Sequence, residues 1–273
     1  MTSNQSSAIE KFRRLHESGC FVLPNPWDRG TARYLAHVGF KALATTSAGF
    51  AFSSGVPDRA NSLEAMLDHV RDIAEATPLP VNADFQNGYA DEPEDVAASV
   101  TRCIQCGVAG LSIEDSTGNR QSPLYEERLA VERVRAARQA IDNAKVPVVL
   151  TARCEAFLVG DPAPQKVVMK RLVAFADAGA DCLYAPGALK LEEIQMIVRA
   201  VAPKPINVLV YRPGVTVAQL ADLGVRRISV GSALSRVAWA AFARATEEIA
   251  NEGSFEAFKD LSGSPDLNKI FGR

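Results

Sequence analysis

The chain has 273 residues, of which 47% are hydrophobic, and a formal net charge of −2. Its Lys and Arg residues are scattered rather than clustered, which argues against nucleic acid or an anionic membrane surface as a partner. No apolar run approaches the ~20 residues of a membrane span, and MTSNQSSAIEKFRRL lacks the apolar stretch of a signal peptide, so a cytoplasmic setting is expected.

A helix is expected first, over residues 6–18. The strand-like run CFVLPNP (20–26) follows with a helix over 28–38, then KALATTSAG (41–49) with 63–76 and LPVNADF (79–85) with 94–106. AGLSIED (109–115) precedes a helix over 126–143, VPVVLTAR (146–153) one over 164–178, and DCLYAP (181–186) one over 190–201. PINVLVY (205–211) with 216–223 and RRISVGSA (226–233) with 234–252 complete the series. The strand runs are short and rich in β-branched residues, whereas the intervening stretches repeat apolar positions at helical spacing. Gly39, Gly107, Gly179 and Gly224 each stand where a helix should end before the next strand. PNPWDRG after the first strand is not the GxGxxG of a dinucleotide fold. Eight strand–helix units without a linker predict an α/β protein, one (β/α)8 TIM-type barrel domain over 1–273 with an N-terminal capping helix.

Such barrels place their sites at the C-terminal ends of the strands. There PVNADFQNGYAD puts Asn82 and Asp84 on one face of strand three, because successive strand residues alternate sides. SIED puts Ser112 and Glu114 on one face and Asp115 on the other, and TAR brings Arg153 to the rim with Thr151 below it. Strand seven adds Asn207 and, further along, Tyr211. Asp84, Glu114, Arg153 and Asn207 are therefore expected to converge on one mouth. Two carboxylates beside an Arg suit a hard cation, Mg2+, holding an anionic substrate. His16, His37 and His69 all fall in helices and read as surface residues, which leaves neither a Ser-His-Asp triad nor a His-ligated zinc at the mouth. The five Cys include a CxxC, Cys103 and Cys106, inside a helix; these read as buried thiols in a reducing compartment.

The segments NPWDRGTARYLAHVGFKALATTSAGFAFSSGVPD (25–58), NADFQNGYAD (82–91), GLSIED (110–115), TARCEAF (151–157) and INVLV (206–210) resemble, in this order, the isocitrate lyase/phosphoenolpyruvate mutase superfamily. The resemblance implies a barrel whose eighth helix, here 234–252 with Trp239, is exchanged with a neighbour in a homo-oligomer, a dimer or tetramer. It assigns Thr46, Ser47 and Ala48 to the segment that holds an α-oxo-carboxylate, and Asp84 and Glu114, with Asn82, to a Mg2+ site that Mn2+ could also fill. Asp58 becomes a carboxylate near the metal, Arg153 the clamp on the substrate's anionic group, and Asn207 a polar residue at its far end; Arg153, Glu114 and Asp58 form the catalytic set. The shared chemistry is making or breaking a C–C or C–P bond next to an oxo-acid, through an enolate stabilised electrostatically.

Two departures stand out. Strand three reads Asn82-Ala83-Asp84 where the superfamily commonly has Asp-Ala-Asp, so one negative charge is missing. The loop STGNRQSPLYEER (116–128) has neither the Cys nor the His of isocitrate and methylisocitrate lyases; Asn119, Arg120 and Ser122 are the polar candidates there. The leading expectation is a Mg2+-dependent lyase that cleaves a C–C bond of a small α-oxo or 2-hydroxy acid, with Tyr184 or Tyr211 as candidate proton donors. The alternatives are a C–P enzyme, such as a phosphonopyruvate hydrolase or mutase, using Arg120 and Arg212 on the phosphonate, or a barrel that binds an oxo-acid without turnover. Gly231-Ser232 at the end of strand eight reads as close packing rather than a phosphate cradle.

Overall fold

The structure is a computed structural model that describes residues 3–188 and 190–272. In chain order the elements are α1 (Ser3–Glu17), β1 (Phe21–Leu23), α2 (Arg29–Val38), β2 (Leu43–Ala44), α3 (Ser47–Ser53), α4 (Leu63–Ala76), β3 (Val81–Asp84), α5 (Pro93–Gln105) and β4 (Gly110–Glu114). They continue with α6 (Glu127–Ala144), β5 (Val149–Arg153), α7 (Pro164–Asp177), β6 (Cys182–Tyr184), α8 (Leu191–Val201), β7 (Ile206–Leu209), α9 (Val217–Asp222), β8 (Arg227–Ser229) and α10 (Ala233–Glu252). A 3-10 turn over Glu256–Gly263 and a short helix, α11 (Leu267–Phe271), end the chain.

All eight strands are parallel and lie in the order β1-β8-β7-β6-β5-β4-β3-β2. The remaining seam closes through single bonds: Ala44 N–H donates to Pro24 O at 3.0 Å, and Asn25 Nδ2 donates to Thr45 O at 2.9 Å. Asn25 Oδ1 also accepts from the amides of Val230 and Gly231 at 3.0 and 2.9 Å, so one side chain fastens β1, β2 and β8 together. Gly231 is thus engaged in packing, as expected; a Cβ there would sit 3.1 Å from Leu209. The architecture is a (β/α)8 barrel.

Helix α1 seals the N-terminal end. Phe12 and Ile9 are buried there, and a Cβ on Gly110 would come within 2.7 Å of Phe12, so glycine at the start of β4 lets the plug ring approach. Truncating a buried Phe of this kind typically costs about 3–5 kcal/mol. The four expected glycines all adopt left-handed backbone at helix ends, from φ 88° at Gly107 to φ 103° at Gly179.

Three sequence expectations need correction. The run 41–49 is not one strand: β2 stops at Ala44, and Thr46 caps a new helix by accepting from Gly49 N–H at 3.2 Å. His69 is buried and stacks on Phe50 with ring centroids 4.0 Å apart. His16 is wedged edge-on between Phe12 and Phe21 and is held neutral, its pKa lowered to about 3 by burial and by Arg227. Only His37 of the three is exposed.

Helix α10 has almost nothing beneath it. Ser235 is its one buried residue, while Val237, Trp239 and Phe242 are 68%, 45% and 59% exposed. No helix among the described residues is long and apolar enough to cross a membrane.

Candidate active site

Arg153, the last residue of β5, is the centre of the mouth. Its Nη1 donates to Asp84 Oδ1 at 2.7 Å, its Nη2 lies 3.3 Å from Glu114 Oε2, and its Nε and Nη2 both donate to Glu155 Oε1 at 2.9 Å. The guanidinium also lies 5.0 Å from the centroid of the Tyr184 ring. Glu114, Arg153 and Tyr184 are register partners on adjacent strands, so the parallel ladder itself sets their side chains next to one another. Asp84 arrives from β3, where its Oδ2 accepts from Ser47 N–H at 2.9 Å and Ser47 Oγ–H at 2.8 Å. Asp84, Glu114 and Arg153 therefore meet as expected.

A second cation approaches from the loop after α3. Arg59 Nη1 donates to Glu114 Oε1 at 2.8 Å and to Ser116 Oγ at 3.2 Å. Asp58 beside it is exposed, yet its carboxyl is raised above the usual range by partial loss of water and by facing Asp84. Burial raises Glu114 against the pull of Arg153 and Arg59. Glu155 is pushed up to about 8, first by burial and then by Glu114 and Asp115, despite Arg153. The mouth thus carries four carboxyl groups (Asp58, Asp84, Glu114, Glu155) beside two guanidinium groups, and burial and mutual repulsion raise Asp58, Glu114 and Glu155 above the usual carboxyl range.

Other sequence candidates lie elsewhere. Asn82 does share the inward face with Asp84, but two residues back along a strand is about 7 Å deeper in the barrel. Its Oδ1 is buried and has no partner among the described residues, and it would stand 2.9 Å from a Cβ on Gly110. It does not join the carboxylates. Asn207 is also below the mouth, with both polar ends taken: Nδ2 donates to Ser229 Oγ at 2.8 Å and Oδ1 accepts from Arg227 at 2.9 Å. Thr46 is spent on capping α3, whereas Ser47 faces the site through Asp84, and Ala48 follows it in α3.

The Tyr184 hydroxyl accepts from Ser229 Oγ at 3.4 Å, inside the barrel rather than at the rim, and Tyr211 lies under Arg212 at 5.0 Å. Asn119, Arg120 and Ser122 are exposed at the tip of the 116–128 loop, where Asn119 Oδ1 accepts from Gln121 N–H.

The sequence reading omits Glu155, Arg59 and Tyr89. Glu155 was within reach, because it lies two residues beyond Arg153 in TARCEAF. Arg59 pairs across 55 residues, which no local spacing announces. Tyr89 sits in a turn with left-handed backbone at Gln86, Gly88 and Tyr89, clasped by the buried Arg133, which donates to the carbonyls of Asn87, Ala90 and Asp91. Its hydroxyl is buried and has no hydrogen-bond partner among the described residues, and burial together with Asp84, Glu114 and Asp58 raises its pKa strongly.

The family model for phosphoenolpyruvate phosphomutase matches residues 12–250. The chain belongs to this family. It superposes on a crystal structure from Burkholderia cenocepacia J2315, described only as that of a lyase or mutase, with TM-score 0.95 and 46% identity over 99% of this chain and 98% of the other. Oxaloacetate acetylhydrolase with its product oxalate aligns at TM-score 0.85 and 28% identity, covering 98% and 94%. Among curated relatives, an uncharacterised Mycobacterium tuberculosis protein is 36% identical over 225 residues, 81% of each chain. Oxaloacetate decarboxylase of Chromohalobacter salexigens is 29% identical over 276 residues, 96% of this chain and 91% of the relative.

Do these residues fit a divalent cation? Among the described residues no three carboxylate, His or Cys side chains are already gathered around one point. The donor chemistry nevertheless fits. Asp58, Asp84 and Glu114 offer the hard oxygen ligands that a divalent ion of this kind takes. Asn82 is not part of that set.

Proposed function

We propose that the protein is a divalent-cation-dependent carbon–carbon lyase acting on a small α-oxo dicarboxylate, with oxaloacetate as the representative of its substrate class. The observation that carries this reading is the convergence of Asp84, Glu114 and Glu155 on Arg153 at the strand ends. The relatives that act on oxaloacetate supply the substrate class.

In this reading Asp84, Glu114 and Asp58 would hold Mg2+, or Mn2+ in its place, and the chemistry such an ion would supply there is that of a Lewis acid toward the substrate's oxo group. Arg153 binds the anionic end of the substrate, and its planar fork stabilises the charge that develops as the bond breaks. Ser47, at the N-terminus of α3, presents its amide and hydroxyl to the same space and would take over part of the anion when Asp84 turns to the cation. In decarboxylation the C3–C4 bond of oxaloacetate breaks, its electron pair passes into the enolate, CO2 leaves, and C3 takes up one proton. Tyr89, with an unpartnered hydroxyl in the field of the same carboxylates, is the side chain suited to donate it. Arg120 and Arg212 are exposed, and among the described residues neither is paired with a carboxylate of this cluster, so no contact favours the phosphonate alternative.

Helix α10 would be covered by a second copy of the chain, making the protein a homo-oligomer. The support is its bare apolar face, with Val237, Trp239 and Phe242 all in the open. The five thiols, all free, support a reducing cytoplasmic setting.

The deciding experiment is pyruvate release from a panel of oxo- and hydroxy-acids, with and without Mg2+. We expect oxaloacetate turnover that EDTA removes and that Asp84→Ala abolishes. Unchanged turnover in Asp84→Ala, or none with any oxo-acid, would overturn the assignment.

A further inference from the structure

We infer that Arg59 is an internal competitor of the divalent cation: it occupies Glu114 and must let go before the cation can bind there. This inference rests on the metal reading above and adds to it a residue that controls entry.

Glu114 has two oxygens, and both face guanidinium groups. Oε1 accepts from Arg59 at 2.8 Å and Oε2 lies 3.3 Å from Arg153. A cation served by Glu114 would stand within a few ångströms of whichever guanidinium stayed, and like charges that close repel strongly in a site shielded from water. One of the two must yield. Arg153 is not suited to do so: its side chain is only 14% exposed, it holds Asp84 and Glu155 as well, and it lies over Tyr184. Arg59 is suited. It stands on a loop, its side chain is 34% exposed, and its remaining bonds go to the Oγ and carbonyl of Ser116.

Two features of the backbone show that the arm is fitted to this place. Arg59 has φ 71°, a left-handed conformation that residues with a Cβ seldom adopt, so the backbone of its loop sets the direction from which the arm reaches Glu114. On the opposite loop, Gly118 has φ 80°, and a Cβ there would come within 3.2 Å of Arg59 Nε. The glycine leaves the corridor through which the arm reaches Glu114. Arg59 therefore ties the loop after α3 to the 116–125 segment as well as neutralising a carboxylate. With Arg59 withdrawn, Asp58, Asp84, Glu114 and Glu155 would face Arg153 alone, and the mouth would become more attractive to a divalent ion.

The test is Mn2+ affinity, read from the free-ion paramagnetic resonance signal and needing no turnover. Compared are the intact protein, Arg59→Ala and Ser116→Ala. A charge-assisted hydrogen bond of this kind is strong enough that Arg59→Ala should tighten Mn2+ about ten-fold or more. Ser116→Ala leaves Glu114 and Arg59 in place but weakens the arm's anchorage, and should shift affinity the same way by about two- to three-fold. Should Arg59→Ala fail to fold, the Ser116→Ala shift carries the test. Equal Mn2+ affinity in all three folded proteins defeats the competition while leaving the metal reading standing. Mn2+ binding by none of them defeats both.

Discussion

Replacing Arg153 with Lys tests whether one planar fork holds the mouth together. The native guanidinium serves three carboxylates at once, with contacts at 2.7 Å to Asp84, 2.9 Å to Glu155 and 3.3 Å to Glu114. An ammonium keeps the charge but is a point donor on a flexible stem, so it can satisfy Asp84 or Glu155 but not span all three. Breaking a buried pair outright costs about 3–5 kcal/mol. Because the charge stays, we expect roughly half of that, about 2 kcal/mol, which in a chain of this size lowers the melting temperature by about 3–4 °C. Oxalate, a stable mimic of the pyruvate enolate, should bind about ten-fold more weakly once bidentate contact is lost. The assays are thermal melting and calorimetric titration of oxalate with Mg2+ present. Arg153→Lys protein that melts with the wild type and binds oxalate equally well would refute the clamp and the three-way pairing with it.

Two further outcomes follow from the same geometry. Folded Glu155 keeps its proton up to about pH 8, whereas an unfolded Glu loses it near 4.3. Between those values the folded state binds more protons than the unfolded one, so stability should fall as pH rises through the window. Melting temperature measured from pH 5 to 9 should show that decline, and Glu155→Gln should flatten it; an unchanged slope would show that Glu155 ionises normally. On α10, the double substitution Trp239→Lys and Phe242→Glu places charges on the bare face and should lower the mass seen by light scattering to that of a single chain. Loss of solubility with no change in mass, or a wild type already of single-chain mass, would count against a second copy on that helix.

The barrel could be read from the sequence because its signals are local and repeated. Helix boundaries fell within a few residues of expectation, since caps such as Gly39, Gly107, Gly179 and Gly224 punctuate every second unit. What escaped was set by distance or by depth. Helix α3 hides in a stretch of small residues, where a Thr cap converts what reads as strand into helix. Arg59 is placed by a loop conformation rather than by any periodicity. Asn82 and Asn207 were assigned to the correct face and the wrong level, because alternation fixes which way a side chain points but not how high it stands.

That last error has a geometric cause. A row of register partners runs from Glu114 through Arg153, Tyr184 and Asn207 to Arg227 and Phe21. It begins at the final residue of β4 and ends at the first residue of β1, because tilted strands carry a row of hydrogen-bonded neighbours down the barrel as it goes round. The same row therefore supplies two layers. The upper layer is Arg153 among carboxylates. The lower one is Arg227, only 2% exposed, whose donors go to the neutral acceptors Asn207 and Thr151, with His16 3.3 Å away. Tyr184 spans the two, with its ring against Arg153 and its hydroxyl beside Ser229. A guanidinium that has no carboxylate partner among the described residues, set beneath the mouth beside His16, adds fixed positive potential under the place where an enolate would form. Positive potential at this end of the barrel therefore arises from Arg227 in its depth as well as from Arg153 at its rim.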